Sequence, residues 1–425
     1  MGLARWDART VLVLFIACVV SNPGAVAVSG EVNREAGPAS ASALNPQAPT
    51  LTGKRVIEVA GKGTRRCGSG PRAGGKYVPG ETPGSTDGDV IRLGGLVLDM
   101  ALTEEFVFAL HKVTERFAPG SYRTQNVAVS RVDRGTREVV RGDLLPPTFD
   151  LALAGGWLWV YNVDYDQAGN HCAVLYRIDP QSLRVVDEID LPEPPPLRAD
   201  PVEAATVDEP TPYDDWAMEE TPDGRHLWVT LGRHLHRIDG RTGRIVQTAV
   251  SEEMIGTIAV DPRGRHLYSF SYDDYRVAKR DIEHGTVLRR STPIAGRGFQ
   301  LTAAREGVWV GGVRQDEVAE VRLLDDDDLR SRRRAGSPGR NYYLGAVAHR
   351  TLWIMSDEPP RDKEPGRMWL FCADAATGRL RSQDPQGPAG TSLVGDPGTL
   401  YVSSHDGLPD EQGIAVMHPQ ADCKD

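Results

Sequence analysis

The sequence predicts an all-β chain: a seven-bladed β-propeller of four-stranded blades whose ring is closed by an N-terminal strand. Three observations carry this expectation. Short β-rich runs separated by turns built on Gly, Asp and Pro recur from residue 96 to residue 418, and none offers helical spacing for long enough to compete. One large aromatic anchors each unit, at Phe108, Trp159, Trp228, Tyr268, Trp309, Trp353 and Tyr401. From Trp228 onward the anchors stand 40 to 48 residues apart, the period of a propeller blade. The seventh unit stops after three strands, which leaves a vacancy at the seam of the ring. A strand from upstream would fill it and remove the exposed sheet edges.

The clearest unit is 214–250, DDWAMEETPDGRHLWVTLGRHLHRIDGRTGRIVQTAV. Its turns, TPDGR and GRTG, use residues that either cap their own backbone or accept φ > 0. The same grammar gives six more units, at 96–145, 149–191, 256–294, 299–334, 342–384 and 392–418. Arg55-Val56-Ile57-Glu58-Val59 is the expected closing strand.

The folded part follows two N-terminal segments. Arg5 and Arg9, the apolar run 10–20 and the A-x-A sequence ending at Ala27 predict an export signal, residues 1–27. The apolar run is about half the length that a bilayer-spanning helix needs. The competing reading is a degenerate lipobox, Phe15-Ile16-Ala17-Cys18, with Cys18 lipidated. Either way the expected location is secreted or cell-surface, with no transmembrane span in the mature chain. Residues 28–52, rich in Ala, Ser, Pro and Gly and lacking aromatics, form an expected disordered spacer. Residues 53–425 form a single propeller domain. A net charge of −10 argues against nucleic acid as a partner.

In such a fold the turns between strands one and two, and between three and four, lie on one face. Here they are minimal. The opposite face carries the second-to-third hairpins and the crossovers between blades. There the sequence is expanded at 112–124, 163–172, 357–367 and 405–413, in the crossover 192–213, and in the Gly-rich stretch 61–89. Loops on a rigid scaffold are where binding concentrates. Residues that begin the innermost strands on this face are expected at the channel mouth: Asp150, Asp214, Asp215, Arg297, Gln300, Asn341, Tyr342 and Thr391.

Other candidates carry less. Asp325 to Asp328, followed by Arg330, Arg332, Arg333 and Arg334, reads as a self-neutralising turn, since no calcium-loop spacing is present. His234 and His236 share one face of a strand, but zinc would need a third ligand. No metal site and no cofactor is predicted, and no nucleophile-elbow, zincin or phosphate-loop motif occurs. Four cysteines remain after the leader, an even number for an exported chain. The strand directions favour Cys67–Cys172 and Cys372–Cys423 among the three possible pairings.

LWVTLGRHLHRIDGRTGRIVQTAV resembles the YVTN-type repeat: a strand ending in V-T, a strand carrying I-D, then a T-G turn. The resemblance places residues 91–420 near the quinoprotein amine dehydrogenase-like and YVTN propellers, and implies fold rather than activity. The functional expectation is a monomeric, WD40-like binding propeller, more a binding protein than an enzyme. It would take a protein, glycan or small-molecule ligand on its loop-rich face. The alternative is a propeller enzyme: a lyase or hydrolase with a channel-mouth metal, or a quinoprotein-like oxidoreductase subunit.

Overall fold

The structure of the protein is a computed structural model. It describes residues 86–418 apart from 88–89, 119–120, 147, 149, 166–170, 193–216, 295–296, 314–318, 336–341, 349–350, 357–367, 382–386, 390–391, 396–398 and 405–411. All of these belong to the compact unit Lys62–Asp425. The predicted leader, the spacer and the candidate strand 55–59 lie outside the described residues, as do Cys67 and Cys423.

Two short strands come first, β1 (Thr86–Asp87) and β2 (Val90–Arg92). Six four-stranded blades follow. The first comprises β3 (Val97–Leu102), β4 (Phe106–Ala118), β5 (Ser121–Asp133) and β6 (Val139–Leu145). The second comprises β7 (Asp150–Ala154), β8 (Trp157–Tyr165), β9 (His171–Ile178) and β10 (Val185–Asp190). The third is β11 (Met218–Glu220), β12 (His226–Leu231), β13 (His234–Asp239) and β14 (Ile245–Val250). The fourth is β15 (Ile255–Val260), β16 (His266–Ser271), β17 (Val277–Asp281) and β18 (Val287–Arg290). The fifth is β19 (Arg297–Ala304), β20 (Gly307–Val313), β21 (Ala319–Asp325) and β22 (Ser331–Arg334). The sixth is β23 (Tyr342–Ala348), β24 (Thr351–Ser356), β25 (Met368–Asp374) and β26 (Gly387–Ala389). Then come β27 (Leu393–Gly395), β28 (Leu400–Ser404) and β29 (Gly413–Met417).

The expectation of seven four-stranded blades is therefore corrected. Among the described residues there are six, and the remaining sheet is a five-stranded composite in the order β1-β2-β29-β28-β27. The strand that completes β29 is also not the expected one. Val90 faces Ala415, Ile91 faces Ile414 and Arg92 faces Gly413. Val90–Arg92 lies only a few residues before β3, so its loop to the first blade is short. A strand at 55–59 would have to close a loop of over thirty residues, at greater entropic cost. Gly413 accommodates the close approach, because a Cβ there would lie 2.0 Å from the Ile91 carbonyl oxygen.

The core runs in the seams between sheets. One buried cluster joins Phe108 and Val129 of the first blade to Leu158 and Ile178 of the second. Another joins Trp228 and Leu235 to Ile258 and Leu267, and a third closes the ring by packing Val97 and Val107 against Tyr401 and Ile414. All seven anchor aromatics are buried, with Trp159, Trp228 and Trp309 at 0% exposure. Each buries roughly 150–250 Å².

The I-D and T-G pattern has a physical role in these seams. At the end of the third strand of each four-stranded blade an aspartate accepts backbone N–H bonds from residues two and, in all but the fifth, three positions on. Asp239 takes Arg241 and Thr242, Asp281 takes Glu283 and His284, and Asp374 takes Ala376 and Thr377. Four residues after the aspartate the chain turns left-handed, at Arg137, Leu183, Gly243, Gly285, Leu329 and Gly378. In every blade but the first, that residue reaches the anchor of the preceding blade. A Cβ on Gly243, Gly285 or Gly378 would approach the ring edge of Trp159, Trp228 or Trp309 at 3.2, 3.0 or 2.8 Å. Where the anchor is smaller, leucine takes the glycine's place: Leu183 packs in the Phe108 cluster and Leu329 in the Tyr268 cluster. The indoles of Trp228 and Trp309 also donate to the next blade's turn, at Ile282 O and Ala375 O.

The aspartate-rich turn 325–328 is only partly self-neutralising. Arg332 pairs with Asp325 and Asp328. Asp326 instead crosses the seam, where it pairs with Arg265 and Lys279 and accepts from the Tyr268 hydroxyl.

Candidate functional site

The first strand of each sheet lies innermost. These strands touch in a closed circuit, β3 to β7, β11, β15, β19, β23, β27 and back to β3, around a central channel. Register aligns their residues in tiers. Ala101, Ala152, Ala259, Thr302 and Val394 stand opposite the anchors of their own sheets, as does Glu219 opposite Trp228. Two residues earlier on each strand lie Asp99, Asp150, Ala217, Thr257, Gln300 and Ser392. This second tier is nearer the face that carries the crossovers.

Carboxylates cluster in one sector of the channel wall, on β3, β7 and β11. Asp99 accepts from the amides of Met100 and Leu151, each at 2.8 Å, and from the Ser392 hydroxyl at 3.3 Å. It thereby ties the composite sheet, the first blade and the second blade together. Burial raises its pKa to about 6 in spite of these donors. Glu220 accepts from the Leu153 amide at 2.8 Å, and its pKa is raised, first by burial. Glu219 is pushed furthest, to about 8, by burial and then by the charges of Glu220, Asp99 and Asp150. Glu219 is only partly buried and Glu220 is exposed to solvent. The channel wall nevertheless displaces much of the water that would stabilise their charges, and like charges on adjacent strands do the rest. The arrangement can hold protons near neutral pH or attract a cationic group.

The expected site residues are distributed unevenly. Asp150 and Gln300 occupy the second tier, on β7 and β19, in non-adjacent blades. Arg297 and Tyr342 begin β19 and β23. Asp214, Asp215, Asn341 and Thr391 lie outside the described residues. The structure adds Asp99, Glu219, Glu220 and Ser392. Asp99 was legible in retrospect, because Asp99-Met-Ala-Leu and Asp150-Leu-Ala-Leu are the same phrase in successive units. Ser392 is one residue from the expected Thr391.

Histidines elsewhere serve the scaffold. His226 and His266 begin second strands opposite Asp239 and Asp281, where their carbonyls accept from Thr221 N and Asp261 N to close equivalent turns. His234 and His236 stack at 5.9 Å, and His236 Nδ1 meets Thr248 Oγ1 at 3.0 Å. Buried His111 meets Ser130 Oγ at 2.8 Å, and burial, then the Arg141 charge, lowers its pKa to about 3. Among the described residues no three His, Cys, Asp or Glu side chains are grouped to hold a metal ion. Cys372 is buried in β25, and its expected partner Cys423 is outside the described residues. The side chain of Cys172, in β9, is outside them too.

Around the channel the two faces differ. In the first five blades the connections from first to second strand and from third to fourth are tight turns. On the other face the expected loops at 112–124 and 163–172 are largely strand. Beyond Val113↔Asn126 the strands β4 and β5 pair only with each other, out to Ala118↔Ser121. Likewise β8 and β9 continue from Val163↔Ala173 to Tyr165↔His171 past the ends of β7 and β10. Two adjacent blades therefore raise two-stranded arms on this face, whereas β12 and β13 are joined by only Gly232 and Arg233.

Neither a protein-family model nor a curated protein matches the chain. Solved structures do match it. Hydrazine synthase of Kuenenia stuttgartiensis aligns at 13% identity with a TM-score of 0.52, over 82% of this chain and 99% of that one. The WD40 domain of Toxoplasma gondii coronin aligns at 10% identity with a TM-score of 0.51, over 79% and 85%. At such identities the likeness concerns fold alone, and proteins of different function share it. The chain is a β-propeller, and its resemblance to the YVTN-type and quinoprotein amine dehydrogenase-like propellers holds at the level of fold.

Proposed function

We propose that this chain is an exported β-propeller that binds a protein, glycan or small-molecule ligand through its elaborated face. The observation that supports this reading most is the asymmetry of the two faces. The first and second blades extend β4–β5 and β8–β9 beyond their own sheets, while the opposite turns are as short as turn chemistry permits. Paired arms on a rigid ring present a preordered backbone, which lowers the entropic cost of association. Export is supported by the leader-like residues 1–27. The disulfides expected from the sequence, Cys67–Cys172 and Cys372–Cys423, would suit an oxidising compartment.

The test uses the full mature chain as bait against a panel of purified glycans and surface proteins. One variant deletes residues 193–212 and replaces 114–124 by a two-residue turn. Another replaces Glu104, Glu105, Arg225 and Arg263 on the plain face by Ala. The reading expects ligands of the parent chain to be lost by the first variant and kept by the second. Equal retention by both would refute it.

One observation favours a second reading. Carboxyls with raised pKa can donate and accept protons, so the channel sector of Asp99, Glu219 and Glu220 would suit a lyase or hydrolase. That reading requires Glu219→Gln to abolish turnover without loss of folding.

A further inference from the structure

The seams between sheets are bridged by a repeated clamp. In each of the first four blades the third-strand residue that faces the anchor is a cation. Arg131 lies opposite Phe108, Arg177 opposite Trp159, Arg237 opposite Trp228 and Lys279 opposite Tyr268. Each reaches across its seam to a backbone carbonyl in the third-to-fourth turn of the next blade. Arg131 donates to Pro180 O and Gln181 O at 3.1 and 2.8 Å, and Arg177 to Arg241 O at 3.1 Å. Arg237 donates to Glu283 O at 3.3 Å and Lys279 to Asp326 O at 2.7 Å. The acceptors stand one or two residues past the turn aspartate. Hydrogen bonds from a charged donor are stronger than neutral ones, so these contacts fasten neighbouring sheets together.

The fifth blade moves the clamp by one strand. Its residue opposite Trp309 is Leu323, and Arg333, which faces Leu323 from β22, donates to Ala376 O of the sixth blade. At the last seam the direction reverses. Arg134, in the turn of the first blade, donates back to the Tyr401 hydroxyl at 3.1 Å.

The sixth blade carries Cys372 at the clamp position, opposite Trp353. Cys372 is buried with Trp353 against Leu393, Leu400 and Val402 of the composite sheet, and it is disulfide-bonded. Its partner lies outside the described residues, and the repeat points to which cysteine it is. In all six blades the turn aspartate stands two residues past the clamp position. In the composite sheet Val416 faces Tyr401, so the equivalent of the aspartate is His418. Four residues past the aspartate the chain returns to the preceding anchor, as at Gly243, Gly285 and Gly378. Asp422 holds that place in the sequence and Cys423 follows it. Cysteine is too short to span a seam as arginine does, but a disulfide joins Cα atoms about 5.5–6 Å apart and suits a segment that returns to the anchor. Cys172 belongs to the second blade, which does not adjoin the sixth.

We infer that a Cys372–Cys423 disulfide is the clamp of the sixth seam. It fastens β25 to the composite sheet covalently, at the place where the first four blades use a cation and a carbonyl. Closure of the ring therefore depends on redox state. A dithiol that reduces the bond is itself oxidised to a disulfide and yields two cysteine thiols, neither of which can bridge the seam. The pairing is expected from the sequence alone, whereas its role as a lock follows from the seam contacts.

The test begins with peptide mapping of the unreduced mature chain, which should return a Cys372–Cys423 cross-link. Hydrogen exchange then compares the parent, the parent reduced by dithiothreitol, and Cys423→Ser. Cys67→Ser is the control, since it removes only the other expected bond. Reduction and Cys423→Ser should each speed exchange at least about tenfold in 351–356, 368–374, 400–404 and 413–417. Each should also lower the melting temperature by about 5 °C or more. Exchange in 226–239 and 266–281 should not change, and Cys67→Ser should leave the sixth seam protected. A cross-link from Cys372 to any other cysteine, or a free Cys372 thiol, would overturn the inference. So would exchange at the sixth seam that ignores loss of the bond, or that rises equally around the ring.

Discussion

Asp99 and Glu219 show how position rather than residue type sets the chemistry of a side chain. Both are carboxyls in the channel wall, yet Asp99 has three hydrogen-bond donors and rises to about 6, whereas Glu219 faces three other acids and rises to about 8. Between about pH 4.5 and 8 the folded chain keeps a proton on Glu219 that the unfolded chain has released. Its contribution therefore makes stability fall as pH rises through that window. His111 acts in the opposite sense. Its pKa is lowered to about 3, so stability is lost as pH falls from about 6.5 toward 3. Glu219→Gln should gain stability over the parent as pH rises from 5 to 9, by about 1 kcal/mol or more. Thermal melts at several pH values measure this, and a pH-independent difference would contradict it. The sequence showed Asp150 because it opens an obvious strand. Glu219 was hidden, because only the pairing of β11 with β12 shows that it faces the same channel as Asp99.

At the scale of the element, the repeat was legible because its anchors are large and its turns obey local rules. The composite sheet was not, because strand addition at a seam depends on loop length and proximity more than on pattern. The three residues Val90–Arg92 carry too little periodicity to stand out, whereas Arg55–Val59 looks more like a strand and lies further from the seam. The arms of β4–β5 and β8–β9 were missed for a related reason. Residues 112–124 include charged and Gly-containing stretches that read as loop, and cross-strand pairing overrides that preference. The exchange of volume between an anchor and the turn on the next blade yields a further prediction. Phe108→Trp alone should overpack the first seam and cost about 1–3 kcal/mol. Leu183→Gly alone should leave a cavity costing about 2–4 kcal/mol, partly offset by relief of its φ of 56°. Together they recreate the Trp228–Gly285 arrangement. A double-mutant cycle in urea should show the pair at least about 1 kcal/mol less damaging than the sum. Additivity would mean that the two side chains do not share the seam.

At the scale of the whole molecule, the ring separates scaffold from function. The seams hold the anchors and the aspartate turns, and the plain face is spent on closing them. The other face is free to carry arms, crossovers and the channel mouth. The composition excluded little beyond nucleic acid, and no motif names a ligand, so the faces are the main guide to function. The most direct test is hydrogen exchange on the mature chain, with and without a ligand found in the capture experiment. The account predicts that added protection falls on 112–127, 163–173 and the crossover 192–216, and leaves the turns at 221–225 and 261–265 unchanged. Protection concentrated on those turns, with the arms unaffected, would contradict it.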